Sequence, residues 1–366
     1  MFDDLAYLVA LNQIREIGSV RFFKLFEKYK DIEKVFNFKR EDLVGLRLSE
    51  EMITNIIKVR DSINIKKEFE KVVKQNVMPL SFFSKEYPEC LKQIYAPPYL
   101  IYAKGKIELL KKENWLAIVG TRHPSFYGLK MTISFSQELV QNGWGVVSGL
   151  AKGIDAKAHE TVIKQGGQTI AVLGCGIDII YPYENWQLYK QLEKQGLIVS
   201  EMPMGVQPQS FQFPLRNRII TGLAKGTLVI EGDYKSGAMI SGKLALDQNR
   251  EVFALPGRVT DKTSNGPNWL LKQGAKPVVE VGDILEEFGE KKPVIKTKIE
   301  SKEKTNVKLS PEEEKVCQVL SDIDSQNIEY LSEKTSISIT ELMMVLSGLE
   351  IKHVIKQLPG KEYILC

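Results

Sequence analysis

Leu116-Ala117-Ile118-Val119-Gly120-Thr121-Arg122 is the stretch that decides the fold of this 366-residue chain. Four apolar residues run straight into a glycine, a hydroxyl and a cation, and a helical pattern follows from about Gly128 to Gln141. A short unbroken apolar run of this kind is a strand covered on both faces, not an alternating half-exposed one. The unit recurs at Gly145-Val146-Val147, Thr169 to Leu173, Leu197-Ile198-Val199, Thr227 to Ile230 and Val252 to Leu255, most of them followed by a glycine-containing turn. Such alternation predicts an α/β class protein with an extended Rossmann-like, mostly parallel sheet and helices on both faces. Ligands of such sheets sit outside the carboxyl ends of the strands, so the turns after the strands are where chemistry is expected.

Outward from this block the composition changes. Residues 1–78 read as several short helices, with glycines at Ile17-Gly18-Ser19-Val20 and Leu43-Val44-Gly45-Leu46 in settings like those of helix-hairpin-helix turns. Such turns can aim N–H groups at a phosphate, but both lack the second glycine. DNA contact and plain packing therefore both remain open for them. The stretch from Pro79 to Gly105, rich in Tyr, Phe and Pro, reads as a connecting lobe to the α/β domain, which ends near 288. Residues 289–308 read as a charged linker: between Glu290 and Lys308 stand seven lysines and three glutamates, a surplus of +4 that equals the net charge of the whole chain. Residues 309–366 predict a winged-helix-like unit. Its first helix starts at Ser310-Pro311-Glu312-Glu313, and a second capping box, Ser338 with Glu341, opens the helix that would read DNA. From Ser338 to Glu350 that helix carries two glutamates and no Lys or Arg, which argues for a protein-contact role over base reading.

The totals exclude several classes. At 43% hydrophobic and 26% charged the chain is globular, and a net charge of +4 excludes binding of polyanions by bulk charge. No run is apolar enough to span a bilayer, and the acidic start Met1-Phe2-Asp3-Asp4 is unlike a secretory signal, so a cytoplasmic protein is expected. Scattered Cys90, Cys175, Cys317 and Cys366, and three histidines without ligand spacing, predict neither a metal site nor a disulfide framework.

The turns carry phosphate chemistry. Gly120 lets a ligand approach the backbone, Thr121 offers a hydroxyl and Arg122 can clamp a phosphate; an ordinary surface arginine is the alternative. Ser148-Gly149-Leu150-Ala151-Lys152-Gly153-Ile154-Asp155 repeats the recipe after the next strand. Gly174-Cys175-Gly176 lacks the rest of a dinucleotide fingerprint, so no cofactor is expected. Phe213-Pro214-Leu215-Arg216-Asn217-Arg218 sets two arginines at an expected helix start. The helix dipole disfavours them there, so an anion is expected nearby: Glu201, Glu231 or a bound phosphate. Lys235-Ser236-Gly237 opens a further helix whose N–H groups can face an anion. Gly237 to Lys243 also fits GxxxxGK, but Leu244 stands where a P-loop places Ser or Thr on magnesium, and the apolar spacing is that of a buried helix. Gly-Leu-Ala-Lys-Gly at 149–153 and 222–226 stands in two different contexts and reads as coincidence. No arrangement of residues suggests a catalytic set. Asp155 and Glu201 read as partners for the arginines, and His123 as a polar neighbour of Arg122.

Taken together, Val119-Gly120-Thr121-Arg122 with Tyr127-Gly128, Ser148-Gly149-Leu150-Ala151-x-Gly153-Ile154-Asp155, Gly174-x-Gly176-x-Asp178 with Tyr181-Pro182, Ser200-Glu201-x-Pro203, Phe213-Pro214-x-Arg216-Asn217-Arg218 and Ala254-x-Pro256-Gly257 resemble the DNA-processing protein A (DprA/Smf) family over residues 80–285. The family ends the helix motif after Gly237 in Ile-Thr, where this chain keeps the hydroxyl as Ile240-Ser241. The resemblance implies a SAM-like helical domain over 1–78, a DNA-binding domain over 79–288 and a variable tail. It also implies a cytoplasmic, non-enzymatic homodimer that binds incoming single-stranded DNA in natural transformation, protects it and loads the RecA recombinase. Carried onto this chain, the single-strand site comprises Gly120, Thr121, Arg122, Lys152, Phe213, Arg216, Arg218, Lys235, Ser236 and Gly237, with Phe213 or Tyr181 stacking a base. The apolar run Trp269-Leu270-Leu271 is a candidate dimer surface, core packing being the alternative. The rival class is a Rossmann-like nucleotide phosphoribohydrolase. Its Pro-Gly-Gly-x-Gly-Thr-x-x-Glu loop is absent from the matching strand end, Glu231 to Gly237.

Overall fold

The computed structural model describes residues 3–290, 309–321, 325–352, 354–358 and 360–365. The expected linker, apart from Gly289 and Glu290, lies outside the described residues. The chain divides into two compact units; the first holds the N-terminal helices and a nine-stranded sheet, the second the C-terminal elements.

The sheet comprises β1 (Met78–Ser81), β2 (Leu100–Gly105), β3 (Trp115–Val119), β4 (Gly145–Ser148), β5 (Thr169–Leu173), β6 (Leu197–Ser200), β7 (Gly226–Val229), β8 (Glu251–Ala254) and β9 (Lys276–Pro277). Their spatial order is β1-β2-β6-β5-β4-β3-β7-β8-β9. From β6 to β9 all pairings are parallel, while β2 runs antiparallel to β6 and β1 to β2. All of β3 is buried, as its unbroken apolar run requires. The segment read as a connecting lobe thus contributes two strands that widen the sheet. Pro79 stands in edge strand β1, the place in a sheet where a residue without an N–H is tolerated.

The chain lays down β3, β4, β5 and β6 in one direction, then returns to place β7 and β8 on the other side of β3. This reversal opens a crevice at the carboxyl ends of β3 and β7. One face of the sheet packs on the N-terminal helices: Tyr7, Leu11 and Phe22 share a core with Tyr99, Tyr102, Leu188 and Ile198. Residues 1–78 therefore form one compact unit with the sheet instead of a separate body. On the other face Leu91, Ile94, Ile219, Leu223, Met239 and Leu270 pack together. The unit continues through Glu290, whose carboxylate accepts from Asn114 Nδ2 at 3.2 Å and Trp144 Nε1 at 3.0 Å.

In the second unit, helices Pro311–Val319, Ile328–Thr335 and Ile339–Ile351 pack with strands β10 (Gln326–Asn327), β11 (Ile355–Leu358) and β12 (Glu362–Leu365), ordered β10-β12-β11. This is the element order expected of a winged helix. Both expected caps form: Ser310 Oγ accepts from Glu313 N at 3.2 Å and Ser338 Oγ from Glu341 N at 3.4 Å. Among the described residues, no helix is long and apolar enough to cross a membrane, and no cluster of three His, Cys, Asp or Glu could hold a metal.

Candidate functional site

The crevice is built from three strand-end turns drawn tightly together. Thr121 N donates to Glu231 O at 2.8 Å, which ties the end of β3 to that of β7. A Cβ on Gly120 would stand 2.4 Å from the Ile154 side chain, and Gly153, at φ +81°, would place one 2.4 Å from Thr121 O. Only glycine permits this approach. Asp155, on helix Ile154–Lys164, is buried and gathers the turns: its carboxylate accepts from Gly149 N at 3.1 Å and from the N–H groups of Ala151 and Gly120. Burial raises its pKa, against the opposing pull of Arg216 and those N–H groups.

Helix Gln212–Leu223 crosses the crevice and carries the Arg-Asn-Arg pair. It begins four residues before Arg216, with Pro214 tolerated in its first turn, so the arginines stand in its second turn and not at its start. The helix dipole therefore does not account for their company. Arg216 is only 5% exposed; it donates to Gly149 O at 2.7 Å, to Val172 O and to Asn217 Oδ1 at 3.3 Å. Burial lowers its pKa to about 10, although the Asp155 carboxylate favours its charge. Arg218 turns away and forms a two-point ion pair with Glu201 at 2.5 and 2.6 Å. The internal acid anticipated for one arginine is thus Glu201, and the other cation is held chiefly by backbone carbonyls.

Arg122 differs from both. It is exposed, lies 5.5 Å above the Phe213 ring centre, and has no acid paired with it among the described residues. Phe213 in turn stacks on Tyr181, with centroids 5.5 Å apart and planes at 27°. The main hollow of the crevice, about 300 Å³, is lined by Gly120, Thr121, Arg122, Phe213, Arg216, Ser236 and Gly237. An adjoining hollow of about 50 Å³ between Arg122, Phe213 and Tyr181 reaches Lys152, which is exposed and paired with Glu184. Ser236 Oγ is buried without a hydrogen-bond partner, and Gly237 begins helix Gly237–Asp247 in open space. Lys235 is exposed at the rim. The GxxxxGK segment lies in this helix, and Gly242 packs against Leu270. There is no phosphate-cradling loop.

Of the predicted site, only Arg218 is turned to a different cleft, which it lines together with the N-terminal helices. Leu270 is fully buried in the chain's own core, so it cannot belong to an exposed dimer surface; Trp269 and Leu271 flank it half-buried. The sequence reading left out Asn217 and Ser241, which complete the crevice wall. It also left out the cleft beneath the N-terminal helices, for which no contiguous motif exists.

The family model of the DNA recombination-mediator protein A matches residues 79–289, more than half of the chain and all of the crevice. The chain belongs to this family, the DprA/Smf proteins. It is 45% identical over 216 residues to the DNA processing protein DprA of Bacillus subtilis (strain 168), covering 59% of this chain and 72% of that relative. Its structure is similar to that of DNA processing protein A from Streptococcus pneumoniae, with a TM-score of 0.69, 34% identity, and coverage of 77% of this chain and 97% of that one. It also resembles DNA processing protein A from Helicobacter pylori, whose single-stranded DNA binding mode has been described, with a TM-score of 0.53, 31% identity, and coverage of 58% and 95%.

Proposed function

We propose that this chain binds single-stranded DNA without sequence preference in the crevice between β3 and β7. As a homodimer in the cytoplasm it would protect strands taken up in natural transformation and load the RecA recombinase onto them. The observation that carries the reading is the stack of Arg122 on Phe213 on Tyr181 beside the open start of helix Gly237–Asp247. A guanidinium without an acid offers a phosphate contact, and exposed backbone N–H groups of the helix start offer a second. The aromatic pair offers a base a sequence-tolerant face worth about 1–3 kcal/mol. A narrow strand-end crevice takes a splayed single strand and not a duplex. The Streptococcus and Helicobacter relatives support the same reading.

No catalytic step is assigned. Asp155 and Arg216, the buried charges here, are committed to holding the turns together. Release of free base from nucleoside monophosphates would instead identify a phosphoribohydrolase.

The test is a gel shift of single-stranded DNA against duplex of equal length, with Arg122→Ala compared at two salt concentrations. The variant is expected to bind single strands at least tenfold more weakly, a loss of about 1.4 kcal/mol. Its salt slope should be shallower by about 0.7, as for one lost phosphate contact on a single strand. Curves matching the parent at both salts would overturn the crevice as the site. RecA filament assembly on strands already covered by the protein tests the loading step.

A further inference from the structure

A second and larger hollow lies on the other side of helix Gln212–Leu223. It measures about 660 Å³, against about 300 Å³ for the crevice, and runs between that helix and the N-terminal helices. Phe211 and Leu215, 42% and 51% exposed, give it apolar surface. The Arg15 guanidinium lies 4.6 Å from the Phe211 ring centre, a second arginine-on-aromatic stack. Arg15, Arg21, Lys24 and Arg47 line the hollow. Glu201 is the one acid among the described residues lining it, and it is already held by Arg218 and by Ser19 Oγ at 3.3 Å. The charge facing the hollow is thus positive and uncompensated.

Two further features point the same way. Helix Ser19–Tyr29 starts at the hollow, with Gly18 as its cap, no side-chain cap bond and no acid in its first turn. This is the glycine turn that the sequence left open between DNA contact and packing, and it presents N–H groups where an anion is favoured. Arg47 and Ala96, both on the lining, hold left-handed backbone at φ 55° and 51°. Such conformations in non-glycine residues gather at functional sites.

The two hollows are neighbours along the chain. Phe213 belongs to the crevice and Phe211 to this cleft, and two residues span at most about 7 Å. The same helix gives Arg216 to one side and Leu215 and Arg218 to the other.

We infer that this cleft is a second single-strand subsite. It receives the nucleotides that leave the crevice over the start of the helix, stacking a base on Phe211 and Arg15 and holding phosphates at Arg21, Lys24 and Arg47. The inference rests on the crevice reading above.

Anisotropy titration of the full chain with oligothymidylates of about 4 to about 16 nucleotides tests it. Arg15 and Arg47 are exposed, so Arg15→Ala with Arg47→Ala is expected to fold. The double variant should match the parent on the shortest strand and bind the longest about tenfold more weakly. Its salt slope on long strands should be shallower by about 1.4, for two lost phosphate contacts. Phe211→Ala should repeat the length-selective loss while keeping the parent's salt slope. A double variant equal to the parent at every length overturns the inference alone and leaves the cleft to a protein segment. Equal loss at every length also overturns it, by placing both arginines at the crevice. Failure of the parent to bind at any length would overturn the crevice reading and this one with it.

Discussion

Three arginines that look alike in sequence do three different jobs. Arg122 is exposed on an aromatic stack, Arg216 is buried against carbonyls, and Arg218 is locked to Glu201. A buried guanidinium is stable only while its surroundings offset the lost hydration. Asp155 supplies part of that and also collects N–H groups from the turns after β3 and β4. Asp155→Ala therefore removes a counter-charge and leaves those N–H groups without an acceptor. It is expected to lower stability by about 3 kcal/mol, read as a lower urea midpoint. An unchanged midpoint would show that the carbonyls alone hold Arg216. That an anion must accompany the Arg-Asn-Arg pair was legible in the sequence. Which arginine met which anion was not, because the answer depends on a helix start at Gln212 that Pro214 obscures and on Glu201, which comes from a different strand end.

Among the elements, the six central strands announce themselves because each is a continuous apolar run, and that pattern alone places the crevice. The edge strands do not. β1 and β2 come from a segment rich in Tyr and Pro, where no run of buried residues is long enough to separate strand from lobe. Helix Asn265–Lys272 presents a related ambiguity. Three consecutive apolar residues on an eight-residue helix must point in different directions, so Trp269-Leu270-Leu271 could not be assigned to surface or core by periodicity. The helix points Leu270 at Gly242 of the neighbouring helix, and Lys243 lies 5.5 Å from the Trp269 ring centre. Leu270→Ala should accordingly cost about 2–5 kcal/mol, as a core cavity does, measured by chemical denaturation. A loss under about 0.5 kcal/mol, as at a surface position, would refute its core role.

At the scale of the whole molecule, charge decides how binding must work. The surplus of +4 equals that of the stretch from Glu290 to Lys308, so the parts on either side of it sum to zero. A neutral fold has no general basic field to draw a strand in, and its affinity must come from a few cations placed at the crevice and the cleft. The C-terminal unit adds little to that set. Helix Ile339–Ile351 holds Glu341 and Glu350 without a cation, and Lys352, just past its end, is spent on Glu313 at 2.6 Å. Its exposed side chains include Met343 and Met344, at 54% and 71%, which suit a protein contact better than a phosphate. Deleting residues 309–366 should therefore weaken single-strand binding less than about threefold, or about 0.7 kcal/mol, by titration at fixed salt. A tenfold loss would mean that the wing holds DNA despite its charge, and the neutral-fold argument would then have to give way to one in which the tail recruits the strand.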